Sequence, residues 1–197
     1  MYSGAEQIIT EWIADVAQNG SNNFDDHAEE NVFKDLHRAA AHLINAAPDD
    51  IAAGSSATEL LCSLAWAVSP GKDKNVVSTE IVFPSTVYPW QRVARSTGCE
   101  IRLAKEKNNF IHTDDIIALI DRHTAVVCIS HVEYGNGQTY DLHLLADAAH
   151  EHGALLVVDA TQSAGSIPID VQACPVDALI SGAYKWLCGP FGAAFMY

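Results

Sequence analysis

The apolar positions of this chain change their period along its length. Over residues 4–18, GAEQIITEWIADVAQ, Ile8, Ile9, Trp12, Ile13 and Val16 recur at helical spacing, and Asn19-Gly20 ends the run. NGSNNFDD reads as a loop. Residues 26–46 predict one long helix with Val32, Phe33, Leu36, Ala40, Leu43 and Ile44 on one face, stopping ahead of Pro48. DIAAG predicts a short strand. SSATELLCSLAWAVS predicts a helix entered through Ser and Thr, with Pro70-Gly71 behind it.

Strands and helices then alternate. NVVST is a strand, residues 85–97 a helix, and CEIRLA a strand. TDDIIALID is a helix whose acidic first turn suits the positive end of the helix dipole. TAVVCISH is a continuously apolar, buried strand. DLHLLADAAHEHG is a helix capped by Asp141, with Leu142, Leu145, Ala146 and Ala149 on one face and Gly153 just past its end. ALLVVDA, DALISG and GAAFMY are further strands, and no internal repeat or low-complexity linker occurs.

This alternation predicts an α/β fold with a mostly parallel sheet and helices on both faces. Ligands bind such sheets beyond the carboxyl ends of the strands. That rule singles out Ser55 to Thr58, Phe83 to Thr86, His131 to Asn136, Asp159 to Gln162, and Ser181 to Lys185.

Composition narrows the classes. A chain of 197 residues, 49% hydrophobic, is long and apolar enough for one sizeable domain with a core. Its net charge of −14 argues against nucleic acid and anionic membrane as partners. Five cysteines form an odd set with no C-x-x-C, which fits a reducing, cytoplasmic compartment better than a disulfide framework. His143, His150 and His152 share one amphipathic helix without metal-ligand spacing, so no metal site is expected. No signal peptide is read ahead of the first helix, and no apolar run reaches the roughly 18 residues of a membrane span.

Two charges stand where chemistry is expected. Asp159 follows LLVV at the mouth of a buried strand, where a carboxylate needs a cation or a donor. Lys185 follows the next predicted strand, in SGAYKWLCGPFG. The two are open to a plain reading, a buried ion pair. They are also open to a second one. A lysine in a confined pocket loses its proton more easily and can form a Schiff base. A carboxylate can support a pyridine ring nitrogen, and a helix start such as SSATE can hold a phosphate. A nucleotide-binding α/β domain is disfavoured, because neither G-x-G-x-x-G nor a P-loop occurs.

Together these segments resemble the class V aminotransferase group of fold-type I pyridoxal-phosphate enzymes, which includes cysteine desulfurases, selenocysteine lyases and kynureninases. VVDATQSAG is similar to the family's D-x-x-Q segment, and SGAYKWLCGPFG to its Schiff-base lysine segment. DDIAAGSSATELL resembles its phosphate-holding segment, PSTVYPWQ the stretch just after the ring-stacking residue, and ISHVEYGNGQTYDL the stretch that touches the phenolic oxygen, in the family's order.

The resemblance implies an aspartate-aminotransferase-like large domain and pyridoxal 5'-phosphate as cofactor. It implies that Lys185 forms the aldimine, Asp159 pairs with the pyridine nitrogen and Gln162 donates to the phenolic oxygen. Ala57, through its backbone, and Thr58, through its hydroxyl, would hold the phosphate, with Ser181 and Tyr184 as further contacts. Phe83 stands where desulfurases usually carry a stacking histidine; it can stack but cannot move a proton. Tyr134 falls where many members have asparagine, so Tyr134 or Asn136 takes that role.

Family chains continue past GAAFMY. The resemblance therefore implies that residues 1–197 are a truncated cofactor-binding large domain with an N-terminal helical segment to about residue 47, and without the C-terminal small domain. The substrate-carboxylate arginine and the desulfurase cysteine loop would lie outside it, and Cys188 reads as a packing residue. The expected substrate is an amino acid. The expected reaction is Cβ–S or Cβ–Se cleavage, transamination or epimerisation, in a homodimer when complete. The alternative is a non-catalytic fragment or remnant that binds cofactor without turnover.

Overall fold

The structure is a computed structural model that describes residues 1–197. Seven strands form one sheet: β1 (Ala52–Gly54), β2 (Asn75–Thr79), β3 (Glu100–Ala104), β4 (Thr124–Ser130), β5 (Leu155–Asp159), β6 (Ala178–Gly182) and β7 (Ala194–Met196). Their order is β1-β7-β6-β5-β4-β2-β3. Neighbours from β6 to β3 are all parallel, and β7 runs antiparallel between β1 and β6. The mostly parallel sheet is thus as expected, with one antiparallel intruder.

Helices cover both faces. The chain's helices are α1 (Ser3–Asn19), α2 (Asp26–Asn31), α3 (Lys34–Ile44), α4 (Ala57–Val68), α5 (Pro84–Thr97), α6 (Thr113–Ile117) and α7 (Leu142–Glu151), of which α3 to α7 pack on the sheet. Strand residues alternate between two cores, as a period of two requires. Val77, Val127, Ile129, Leu156 and Val158 pack with α3, α6 and α7. Val76, Val126, Cys128 and Val157 pack with α4 and α5. Each such fully buried aliphatic side chain contributes about 1.5–3 kcal/mol of apolar transfer free energy. No helix is long and apolar enough to cross a membrane.

Three expectations change. The stretch 26–46 is two helices, not one, broken at Val32 and Phe33. Asn31 turns its side-chain amide onto the His27 carbonyl, which competes with the helix ladder there. The helix expected over TDDIIALID is a single short turn, Thr113–Ile117. The apolar stripe of α1 has no partner in the chain: Ile8, Trp12 and Ile13 are exposed, and the helix has no buried residue. Its start is held by the Tyr2 N–H, which donates to the Cys188 carbonyl at 2.8 Å.

Candidate active site

The chain runs from β2 outward to β3, then returns to β4 on the other side of β2. Such a reversal opens a crevice at the carboxyl ends of the strands. A cleft lies there. Ala57, Thr58, Phe83, Tyr134, Asp159, Gln162, Tyr184 and Lys185 all line it. One expected residue does not. Ser181 is fully buried within β6, and its hydroxyl lies 3.3 Å from the Gly182 carbonyl. Asn136 is outside the cleft too, with its amide on the Asn109 carbonyl and its oxygen accepting the Gln138 N–H at 2.9 Å.

Two helix starts converge on one corner. Ser56 caps α4, its Oγ accepting the Glu59 N–H at 3.1 Å. The Glu59 carboxylate reaches back to the Ser55 N–H at 2.7 Å and the Ser55 hydroxyl at 2.8 Å, and these bonds hold its pKa below the usual carboxylate value. The Ala57 and Thr58 N–H groups, in the first turn, have no intrahelical acceptor. Ser85, in the first turn of α5, sits across from α4, with Thr58 Oγ1 and Ser85 Oγ 2.7 Å apart. Free N–H groups, hydroxyls and the positive ends of two helices make an anion-binding corner.

Asp159 ends β5 and is 5% exposed. Both of its oxygens are held: Oδ2 accepts from the Thr86 hydroxyl at 2.9 Å, and Oδ1 from the Thr161 N–H at 3.0 Å. Thr161 Oγ1 in turn accepts the Gly182 N–H at 3.2 Å, which ties the end of β5 to the end of β6.

Lys185 lies in the turn after β6. Its Nζ is 5.5 Å from the centre of the Phe83 ring and 5.7 Å from that of Tyr184. None of the six ion pairs in the chain includes it, so the plain reading of an Asp159–Lys185 ion pair does not hold. The turn is tightly built. The Cys188 N–H donates to the Lys185 carbonyl at 3.0 Å, and the Gly189 N–H to the Ala183 carbonyl at 2.8 Å. Gly165, at φ +91°, passes so close that a Cβ there would meet the Trp186 carbonyl oxygen at 2.9 Å. Trp186 Nε1 donates to Gln162 Oε1 at 3.2 Å, which leaves the Gln162 amide nitrogen as the donor at the cleft.

Phe83 and Tyr134 meet edge to face, ring centres 5.2 Å apart. Behind Tyr134 is Glu133, 1% exposed. Its Oε1 accepts from the Thr79 hydroxyl at 3.1 Å and the Tyr140 hydroxyl at 3.2 Å, and its Oε2 has no partner. Burial raises its pKa to about 6.

Sequence reasoning missed Ser85 and Thr161 on the cleft wall, and Thr86 and Glu133 behind it. All four fall within, or at the edge of, the strand-end stretches that the sheet rule picked out. What singled out none of them is that a Ser, Thr or Glu after a strand is common, and only the fold shows which carboxylate or hydroxyl it meets.

The aminotransferase class-V family profile matches residues 5–197. The chain is 35% identical over 157 residues to an uncharacterized aminotransferase, YcbU, of Bacillus subtilis, a match covering 80% of this chain and 42% of that one. It is 30% identical over 171 residues to a cysteine desulfurase of Haloferax volcanii, covering 84% and 40%. The chain thus spans less than half the length of these relatives. The fold superposes on the cystine C-S lyase C-DES, solved with its product cysteine persulfide, with a TM-score of 0.87 at 23% identity, over 98% of this chain and 53% of that one. The chain belongs to the aminotransferase class-V family of pyridoxal-phosphate-dependent proteins.

Proposed function

We propose that this chain is the cofactor-binding portion of a pyridoxal-phosphate enzyme acting on an amino acid, with Lys185 as the residue that bonds to the cofactor. One observation carries the reading. A single cleft gathers a lysine amine, a buried carboxylate with both oxygens held, and an anion-binding corner, from residues that span 57 to 185.

The residues fit the cofactor. The Ala57 and Thr58 N–H groups and the Thr58 and Ser85 hydroxyls suit a phosphate. Phe83 offers an apolar face for a ring. Gln162 offers a donor for an oxyanion. When bound, pyridoxal phosphate supplies an aldehyde and an electron-withdrawing pyridine ring. Lys185 would supply the amine for that aldehyde and a base for a proton at the substrate Cα. Asp159 would pair with the ring nitrogen and favour its protonated form. Its buried setting strengthens that charge pairing, since little water is present to screen it.

The reaction belongs among Cβ–S or Cβ–Se cleavage, transamination and epimerisation, in a homodimer. Phe83 cannot move a proton, which sets the site apart from one with a stacking histidine. No arginine lines the cleft: Arg92 and Arg95 lie in α5, Arg102 in β3, and Arg38 and Arg122 are also outside it. A substrate carboxylate therefore finds no arginine partner among these residues. The second reading, cofactor binding without turnover by residues 1–197 alone, rests on that observation.

The test is to add pyridoxal phosphate to the purified chain and record its visible spectrum, then assay it with cysteine, selenocysteine and alanine. A protein-bound cofactor band that Lys185→Ala abolishes is the expected result, with no turnover by the isolated chain. A folded chain with no such band would overturn the assignment, and robust turnover would overturn the second reading.

A further inference from the structure

Glu133 is the most deeply buried carboxyl in the chain, and the proposed chemistry gives it no part. It stands at the first turn of the loop that joins β4 to α7. That loop folds back on itself: the Glu133 N–H donates to the Gln138 carbonyl at 2.8 Å, and the Gly137 N–H to the Glu133 carbonyl at 2.9 Å. The next residue, Tyr134, is on the cleft wall.

The side chain of Glu133 reaches the opposite way. One oxygen, Oε1, collects two hydroxyl donors from two different segments. Thr79 is the last residue of β2, four residues ahead of Phe83. Tyr140 closes the far end of the loop just before α7, and its N–H donates to the His131 carbonyl at 3.2 Å. One carboxylate therefore ties the strand end that leads to Phe83 to both ends of the loop that carries Tyr134.

We propose that Glu133 is a positioning residue of the cleft: by bracing Thr79 against Tyr140 it fixes the edge-to-face pair of Phe83 and Tyr134 that faces the cofactor ring. This rests on the reading of the cleft as a cofactor site, although the brace itself does not.

The brace is unbalanced. Two donors converge on Oε1 while Oε2 is buried with none, so an ionised Glu133 keeps a bare oxygen away from water. Burial is the largest cause of its raised pKa, the hydroxyl bonds from Thr79 and Tyr140 oppose it, and the charge nearby adds to it. Asp159, at the end of β5, is a second negative charge nearby and raises the Glu133 pKa further. The Tyr140 hydroxyl is neutral, its own pKa raised first by burial and then by Glu133. His131 has an unpartnered buried Nδ1, and burial lowers its pKa, which favours the neutral ring. Glu80 is turned outward, its carboxylate held by Lys105 Nζ at 2.8 Å and the Glu106 N–H at 2.7 Å. No cation reaches Glu133. The brace therefore changes charge near pH 6, and the aromatic pair should feel it.

Two Glu133 variants and two readouts test this. The first readout needs no cofactor: near-ultraviolet circular dichroism of the apo-protein from about pH 5 to about pH 8, recorded for wild type and for Tyr134→Leu so that their difference isolates the Phe83–Tyr134 pair. Wild type should show a step near pH 6, and Glu133→Gln, which keeps the acceptor but not the titration, should lack it. The second is the dissociation constant for pyridoxal phosphate. Glu133→Ala strands two buried hydroxyls and should weaken binding by about tenfold or more, with the fold retained by far-ultraviolet dichroism. Glu133→Gln should stay within about threefold of wild type and lose its pH dependence. A step that survives in Glu133→Gln would overturn the proposal, and so would a folded Glu133→Ala with wild-type affinity and aromatic signal. If Glu133→Ala does not fold, the Glu133→Gln titration decides. If wild type shows the step but binds no cofactor, the brace stands and the cofactor reading falls.

Discussion

The hydroxyl of Thr86 donates to Asp159 Oδ2 across 2.9 Å, from the first turn of α5 to the end of β5. Both residues are buried. The bond holds the carboxylate that lines the cleft, and it ties α5, which begins just after Phe83, to the strand beside the lysine turn.

Thr86→Val keeps the shape and removes the donor. It leaves Asp159 Oδ2 buried without a partner, and should cost about 1–3 kcal/mol of stability by urea unfolding. Cofactor affinity should fall as well. A variant as stable as wild type with an unchanged cofactor spectrum would mean that Asp159 does not depend on this bond.

Asp159 and Lys185 were legible because the sheet rule put both at strand ends and the resemblance placed them in the D-x-x-Q and lysine segments. Thr86 was not legible, since a threonine in a helix start has many ordinary reasons to be there. The stripe of Ile8, Trp12, Ile13 and Val16 predicted its helix correctly, but periodicity names the apolar face and not what covers it; here the chain covers none of it. The break at Val32 and Phe33 was hidden for a related reason. Residues 26–46 keep their apolar spacing through it, and the side-chain bond from Asn31 to the His27 carbonyl beside it is one that spacing does not register. Ser181 was placed by position in a motif, yet it lies within a strand whose residues are all buried, and its side chain does not reach the cleft.

Trp186 orients Gln162 through the bond from Nε1 to Oε1. Trp186→Phe should free the amide to rotate and so lower cofactor affinity severalfold, while stability changes little because the indole is 56% exposed. Isothermal titration with pyridoxal phosphate, set beside a thermal melt, separates the two effects. Equal affinity in the variant would remove Trp186 from the site.

Gly165 carries a tighter constraint. Its φ of +91° and its contact with the Trp186 carbonyl leave no room for a side chain. Gly165→Ala should cost about 1–3 kcal/mol in unfolding free energy and shift the turn that holds Lys185. A loss of cofactor affinity larger than that of an equally destabilised core variant is the distinguishing result.

Glu133 gives stability a pH dependence of known sign. Its native pKa of about 6 lies above the ordinary 4.5, so the native state holds the proton more tightly than the unfolded state. The penalty is absent below about pH 4.5, grows as pH rises through 6, and is complete above it, at about 1–2 kcal/mol. Glu133→Gln should remove that slope between pH 4.5 and 6 and be more stable than wild type at higher pH. Chemical unfolding at a series of pH values checks this, and a variant with the wild-type slope would assign it to another group.

Lys185 is the amine on which the proposed cofactor binding at this cleft turns. The direct measurement is borohydride reduction of the protein equilibrated with pyridoxal phosphate, followed by peptide mapping by mass spectrometry. The account predicts a pyridoxyl group on Lys185 and its loss in Lys185→Ala. Labelling of other lysines alone, or no label in a folded sample, would contradict it.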